Sequence, residues 1–408
     1  MSNSDNVLEK QKKIPLNQLT LGMYVLSIFT KNKDVNIKSE GYILKESSIE
    51  QLKKSHVTYV IIDPSKTKQN DATKDSETAT AEKSSIPEPK DLTTSLDKEI
   101  KTANKLYNNA KALQEKILQD ITLNKIIDTN AVQESTDAIV DSIFRNPDAL
   151  LCMTRLRMKD DYLVEHSLNV SILMTIFCKH LNIERKVMEQ LALGAFLHDI
   201  GKVLIPDHIL HKPSKLTSDE YEIMKTHVVL GVEALKETPH VSNIVMSVVK
   251  EHHERIDGKG YPNQLEAKDI SLYGRMIAIV DSYDAMTAER VYKAGMHPIR
   301  AFKILMSESP NSYDKALVEQ FIQCLGLYPI GTLVKLNSGK VGLISRLNKN
   351  KPLNPFVRVF YNTRLNQVIT MEELDLSKPK YNDQIASCIK PEEFNLDLLK
   401  FFKNAFID

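Results

Sequence analysis

His198-Asp199-Ile200-Gly201-Lys202 closes the apolar run Leu191-Ala192-Leu193-Gly194-Ala195-Phe196-Leu197. A histidine and a carboxylate at the end of such a run cost free energy to bury unless something pairs with them. Neutral imidazole and carboxylate are both good ligands for hard and borderline divalent cations, so a metal ion would offset that cost. A lone His-Asp pair is common, and its weight here comes from its company. Of the 11 histidines, 10 lie between His166 and His297. His166, His227, His252, His253, Asp281 and Asp284 recur around the pair on stretches with helical apolar periodicity.

Each of these positions has a bland reading that the pattern as a whole outweighs. His166, Val170, Leu173 and Phe177 share one helical face, so alone His166 reads as a core histidine. Thr217 and Glu220 have capping-box spacing and open a helix on which Met224, His227, Val228 and Gly231 share a face. Val245, Val248, Val249 and His252 continue an apolar stripe. His253 lies about 100° further round the helix, so both histidines serve one site only near a helix end. Asp257-Gly258 and Gly260-Tyr261-Pro262 supply that end, being strong helix breakers. Ile277, Val280, Asp281 and Asp284 share a face of a helix starting near Ser271, and a carboxylate on an apolar face needs a partner.

Composition sets the surroundings. The chain has 408 residues, 42% of them hydrophobic, and a formal charge of +1. That length allows two or three domains, and the near-neutral charge argues against a large surface for a nucleic acid polymer. Cys152, Cys178, Cys324 and Cys388 are far apart and form no CxxC, as expected of buried thiols in a reducing compartment. No run approaches a membrane span and the N-terminus lacks an apolar leader core, so the expected location is cytoplasmic.

The expected fold class is mainly α: a helical bundle with a small N-terminal α+β domain and a small C-terminal β subdomain. Residues 1–64 form the first, with strands at Gly22–Leu26, Tyr42–Leu44 and Val57–Asp63 and one helix over Ser48–Ser55. Residues 65–94, rich in Ser, Thr, Lys, Asp, Glu and Ala, read as a flexible linker. Residues 95–150 read as a helical connector. Leu96, Ile100, Ala103, Tyr107, Ala110, Ile117 and Ile121 follow heptad-like spacing, interrupted by Gln114. The connector packs on its own domain or, as the sharper alternative, forms a homodimer. A second helix is expected over Ala131–Phe144. Residues 151–325 carry the chemistry. Residues 326–408 return to strands: Gly331–Asn337 and Lys340–Leu347 flank the turn Ser338-Gly339, followed by Phe356–Tyr361, Gln367–Met371 and a closing helix over Pro391–Phe406.

The chain resembles the HD-GYP family, a branch of the HD-domain metal-dependent phosphohydrolases. The resemblance rests on HDIGK at His198–Lys202, HHERIDGKGYP at His252–Pro262, DSYDAMTAERVYKAG at Asp281–Gly295 and IPDHILHKPSKLTSDEYEIMKTH at Ile205–His227, where Ser214 stands in place of the family's usual glycine. It covers residues 150–325, with separated motifs in the right order. Residues 14–64, with GMYV at Gly22–Val25, also look like an N-terminal domain of unknown function that accompanies part of the family.

The resemblance implies that His166, His198, Asp199 and Asp281 hold one divalent metal. It implies that Asp199, His227, His252 and His253 hold a second, with Asp199 bridging. Some family members place a glutamate one turn before the first histidine and bind a third metal. Here that residue is Tyr162, so two ions are expected, iron favoured and manganese the alternative. The implied reaction is hydrolysis of cyclic di-GMP to pGpG, with further cleavage to GMP left open. Asp199 and Lys202 act in catalysis, and Lys202, Arg290, Lys293 and Asp284 contact substrate. Arg255 and Asp284 could instead orient ligands. The GYP loop, with Asp257, Gly258, Gly260, Tyr261 and Pro262, shapes the entrance and could engage a diguanylate-cyclase-type partner. The alternatives are another cyclic dinucleotide such as cyclic GMP-AMP, or a nucleotide-binding signalling protein without turnover.

Overall fold

A computed structural model describes residues 12–21, 23–30, 33–43, 49–50, 52–53, 57–64, 94–123, 125–155, 162–236, 238–239, 241–288, 295–348 and 351–394. The chain divides into two compact units, residues 1–87 and 88–408. It is mainly α, with a small antiparallel sheet towards each end.

The first unit holds β1 (Lys12–Pro15), β2 (Tyr24–Thr30), β3 (Lys33–Tyr42) and β4 (Val57–Ile62), in the spatial order β1-β4-β2-β3. Ile14, Leu16, Leu19, Val25, Val57, Val60 and Ile62 form its core. β1 escapes a sequence reading because only Ile14 of Lys-Lys-Ile-Pro is buried, so there is no alternation to detect. Of the helix expected over Ser48–Ser55, residues 49–50 and 52–53 are described, and they are helical. The expected linker lies outside the described residues except for Thr94.

The second unit begins with α1 (Leu96–Thr122), whose first-turn Asp97 and Glu99 suit the positive end of the helix dipole. Glu99 is also a clamp: Arg145 donates Nε to Oε2 at 2.9 Å and Nη2 to Oε1 at 2.8 Å, tying α1 to the end of α2 (Thr129–Arg145). α3 (Pro147–Met153) follows. The heptad-like stripe Ile100, Ala103, Tyr107, Ala110, Ile117 and Ile121 is buried in the unit's own core. The stripe therefore packs on its own domain, the first of the two readings.

α4 (Tyr162–His180) is buried on every side from Glu165 to Cys178 and forms the axis of the bundle. α5 (Arg185–Leu197) packs along it and ends at His198, after which Ile200–Leu204 tightens into a 3-10 turn. α6 (Asp207–Leu210) and α7 (Ser218–Lys225) follow, the latter opened by a complete capping box between Thr217 and Glu220. The helix expected to run on through His227 breaks at Thr226, so His227 instead begins α8 (His227–Lys236). α9 (Asn243–Glu251), α10 (Leu272–Thr287), α11 (Pro298–Glu308) and α12 (Lys315–Leu325) complete the bundle.

The C-terminal sheet is five-stranded and antiparallel in the order β8-β7-β6-β5-β9: β5 (Leu333–Leu336), β6 (Lys340–Arg346), β7 (Phe356–Asn362), β8 (Gln367–Asp375) and β9 (Ile385–Cys388). Gly339 turns the β5–β6 hairpin at φ 86°. Val334, Leu336, Ile344, Val357 and Phe360 join the same continuous core as the helices, so the sheet is an extension of the bundle rather than an appendix with its own core. Pro391–Phe394 is a short 3-10 turn, and the rest of the expected closing helix lies outside the described residues.

Candidate metal centre

His166 on α4, His198 and Asp199 after α5, His227 at the start of α8, His252 and His253 after α9 and Asp281 on α10 converge inside the bundle. All but His253 are buried. Four imidazoles are held by their Nδ1 atoms. His166 Nδ1–H donates to Asp284 Oδ2 at 2.8 Å, while those of His198, His227 and His252 donate to the carbonyls of Ala195, Met224 and Val249, each at 2.7 Å. Three of the four bonds reach back three residues, so the chain just before each histidine sets the ring. These partners place a proton on each Nδ1 and turn each Nε2 inward.

Asp199 divides these lone pairs between its two oxygens. His166 Nε2 and His198 Nε2 lie 3.4 and 3.3 Å from Oδ2, and Asp281 Oδ1 lies 3.0 Å from His166 Nε2. His227 Nε2 and His252 Nε2 lie 3.4 and 3.6 Å from Oδ1. His253 turns its other nitrogen, Nδ1, towards Asp281 Oδ2 at 3.8 Å. Yet among the described residues Asp199 Oδ1 and His198 Nε2 have no hydrogen-bond partner, although both are buried. Two orphaned polar atoms among crowded imidazole nitrogens are what a divalent cation would satisfy, and the nitrogen and oxygen donors suit one.

The electrostatics pull the two sides apart. Burial lowers the His198 imidazole, but the Asp199 charge and bonds to Asp199 and Asp281 override it and hold the group at about 9. Burial is likewise overcome at His166, which is raised by Tyr162 and by Asp199, Asp281 and Asp284. Burial prevails at His252, which falls to about 4, and His253 is also lowered. Burial would raise Asp199 and Asp281; cationic neighbours, Lys202 first for Asp199 and His166 first for Asp281, hold both below the usual carboxylate range.

Lys202 Nζ donates to Asp199 Oδ2 at 2.5 Å, beside the cluster. Asp284 is fully buried with its carboxylate on His166, where it holds that imidazole. Arg255 is turned to the GYP loop. It makes two bonds to Asp257, at 3.1 and 2.8 Å, and this pairing holds the Asp257 carboxyl down at about 2. Arg290 and Lys293 lie outside the described residues. Glu165 turns away from the centre to Lys111 Nζ, 3.0 Å distant.

The GYP loop folds back over the centre. Glu254, unremarked in the sequence, is buried and accepts from the backbone of Asn263 at 2.7 Å and Leu265 at 3.0 Å. A Cβ on Gly260 would lie 2.5 Å from Glu254 Cα, so the return strand fits only with glycine there. Gly258, at φ 71°, makes the turn, and Pro262 follows Tyr261 through a cis peptide. Tyr261 N–H then donates to the His253 carbonyl at 3.1 Å, and its ring lies 4.6 Å from that of His253. Tyr162, one turn before His166, stacks on that imidazole at 5.3 Å and 17°.

Sequence reasoning also passed over Gly201 between Asp199 and Lys202. A Cβ there would meet the His227 carbonyl at 2.0 Å, so its hydrogen lets the 3-10 turn press against α8.

Packed helices presenting histidines and aspartates to a shared buried point define a helical divalent-metal site. Three family models match the chain: an HD domain over residues 150–317, a domain of unknown function over 11–132, and a KOW domain associated with the HD domain over 333–397. A cyclic di-GMP phosphodiesterase from Pseudomonas aeruginosa is 34% identical over 387 residues, 94% of this chain and 93% of that protein. Two Vibrio cholerae proteins match shorter stretches. A cyclic di-GMP phosphodiesterase is 42% identical over 33% of this chain and 29% of its own length, and a 3'3'-cGAMP-specific phosphodiesterase is 41% identical over 31% and 24%. The chain belongs to the HD-GYP family of HD-domain phosphohydrolases, of the cyclic di-GMP phosphodiesterase type.

Proposed function

We propose that the chain is a cytoplasmic, metal-dependent phosphodiesterase that opens cyclic di-GMP to linear pGpG in bacterial second-messenger signalling. The observation that carries the reading is the division of inward-facing imidazoles between the two oxygens of Asp199. Two divalent ions, iron or manganese, held by His166, His198, Asp199 and Asp281 and by Asp199, His227, His252 and His253, would supply Lewis acidity and a water of lowered pKa. The donor set contains no thiolate, and Tyr162 occupies the place from which a carboxylate could serve a third ion.

The protein's own part is positioning and charge. Asp284 and the Ala195, Met224 and Val249 carbonyls fix each ring before substrate arrives, so little reorganisation remains at reaction. Lys202 places a positive charge beside Asp199, where it neutralises a phosphodiester drawn into the centre. The Tyr261 ring over His253 narrows the approach. Addition of one water across one P–O bond opens the ring. Cyclic GMP-AMP is the second substrate considered, since a relative named for it shares the matched region, but the relative that spans nearly the whole chain is named for cyclic di-GMP.

The test is to load the purified chain anaerobically with iron or manganese, add cyclic di-GMP and follow products by chromatography. Metal-dependent pGpG that is absent in Asp199→Ala is the expected result. No product from a fully loaded chain refutes the substrate assignment, and full metal content in Asp199→Ala refutes the ligand assignment.

A further inference from the structure

Tyr221 lies in the capped helix α7 with 48% of its surface exposed. Its ring stands edge-on to Tyr261, centroids 6.3 Å apart at 81°. Tyr261 in turn lies 4.6 Å from the His253 ring and 6.3 Å from that of His227. Two aromatic steps therefore lead from the buried ligands to open surface. Lys225, one turn after Tyr221, sets Nζ 5.5 Å from the Tyr221 centroid and 5.8 Å from that of Tyr261. Among the described residues its ion pair is with Glu222, 2.7 Å away and mostly exposed. A surface pair of that kind contributes little, so the ammonium is free to exchange it for a better acceptor.

We propose that Tyr221 and Lys225, with Tyr261 as the inner wall, form the subsite for one nucleobase of the cyclic dinucleotide, and that Lys225 favours guanine there. This deepens the cyclic di-GMP reading and rests on it. A purine has a π-face that stacks on an exposed tyrosine, and such stacking is tolerant of base identity. Selection must come from the base edge. Guanine offers two adjacent acceptors, O6 and N7, to which a lysine can donate, whereas adenine presents an amino donor beside N7 and sets a donor against the ammonium. The platform is pre-formed: the capping box at Thr217 and Glu220 fixes the first turn of α7, and Lys212 braces Glu220 at 2.7 and 2.5 Å. Little ordering is left to be done when a base arrives.

The experiment compares the metal-loaded full chain with Tyr221→Ala, Tyr221→Phe and Lys225→Met. Substrates are cyclic di-GMP, 3'3'-cyclic GMP-AMP and bis(p-nitrophenyl) phosphate, a diester without a base. Calorimetric titration with pGpG supplies an affinity independent of turnover. Tyr221→Ala is expected to raise KM for cyclic di-GMP about tenfold, with a much smaller change in kcat and a matching loss of pGpG affinity, and Tyr221→Phe to restore both. Lys225→Met is expected to shrink the preference for cyclic di-GMP over cyclic GMP-AMP several-fold. An unchanged KM in Tyr221→Ala, or a loss as large on the base-free diester, overturns the subsite while leaving the activity standing. Failure of the unmodified chain to cleave any cyclic dinucleotide while cleaving the base-free diester overturns the underlying reading.

Discussion

Gly201→Ala tests the packing that joins the two sides of the centre. The added Cβ would sit 2.0 Å from the His227 carbonyl oxygen and 2.5 Å from Gly231 N, where ordinary contact begins near 3.4 Å. Both atoms are backbone, so relief requires the 3-10 turn and α8 to part by more than an ångström. His227 begins α8 and Asp199 immediately precedes the 3-10 turn, so the 3.4 Å approach of His227 Nε2 to Asp199 Oδ1 must lengthen with that shift. Overpacking of this kind costs about 1–3 kcal/mol of stability, which the bundle should survive. A misplacement near an ångström costs about a hundredfold in turnover. The assay pairs thermal melting with metal content and cyclic di-GMP turnover. The expected result is a folded protein that has lost metal from the His227 side and most of its activity. Gly339→Ala, strained at φ 86° in a distant hairpin, is the control that should lose stability but keep its metal. Metal content and turnover in Gly201→Ala equal to the unmodified chain would refute the argument that this contact sets the ligand spacing.

Asp284→Asn removes the charge that holds His166 Nδ1, and metal affinity measured by chelator competition should fall about 10- to 100-fold. Tyr162→Glu places a carboxylate where a ring now covers His166, and elemental analysis should find one more ion per chain than in the unmodified protein; three ions already in the latter would refute the dinuclear proposal. Gln114→Leu should stabilise. Neither polar atom of this buried amide has a hydrogen bond among the described residues, and an unmet buried amide costs about 1–3 kcal/mol. A lower melting temperature in that variant would show that the amide is satisfied after all.

The converging residues were legible in the sequence because their chemistry is local: a histidine or aspartate at the end of an apolar helical stripe is costly unless paired, and the separated motifs name the same seven residues that the fold brings together. The long helix α1 was legible for the same reason, through its three- and four-residue spacing. Whether that stripe faced its own bundle or a second copy was not, since periodicity identifies a face and not its partner. Ile100, Ala103 and Ala110 are buried in the chain's own core. The break at Thr226 was hidden because two short helices in succession carry nearly the same apolar pattern as one. β1 and β9 were hidden because four residues hold too few alternations to read.

Other features depended wholly on distance. Asp284 read equally well as a contact to substrate or a support for an imidazole, and Arg255 as a support; only distance showed the 2.8 Å bond of the one to His166 and the pairing of the other with Asp257. Gly201 is one glycine among thirteen until α8 lies against it. The sequence by itself determined which atoms could bind a cation, because donor type is a property of the side chain. Tertiary structure decided which nitrogen each ring presents and which Asp199 oxygen it faces, because tautomer and orientation are set by hydrogen bonds to backbone carbonyls and to a carboxylate far along the chain.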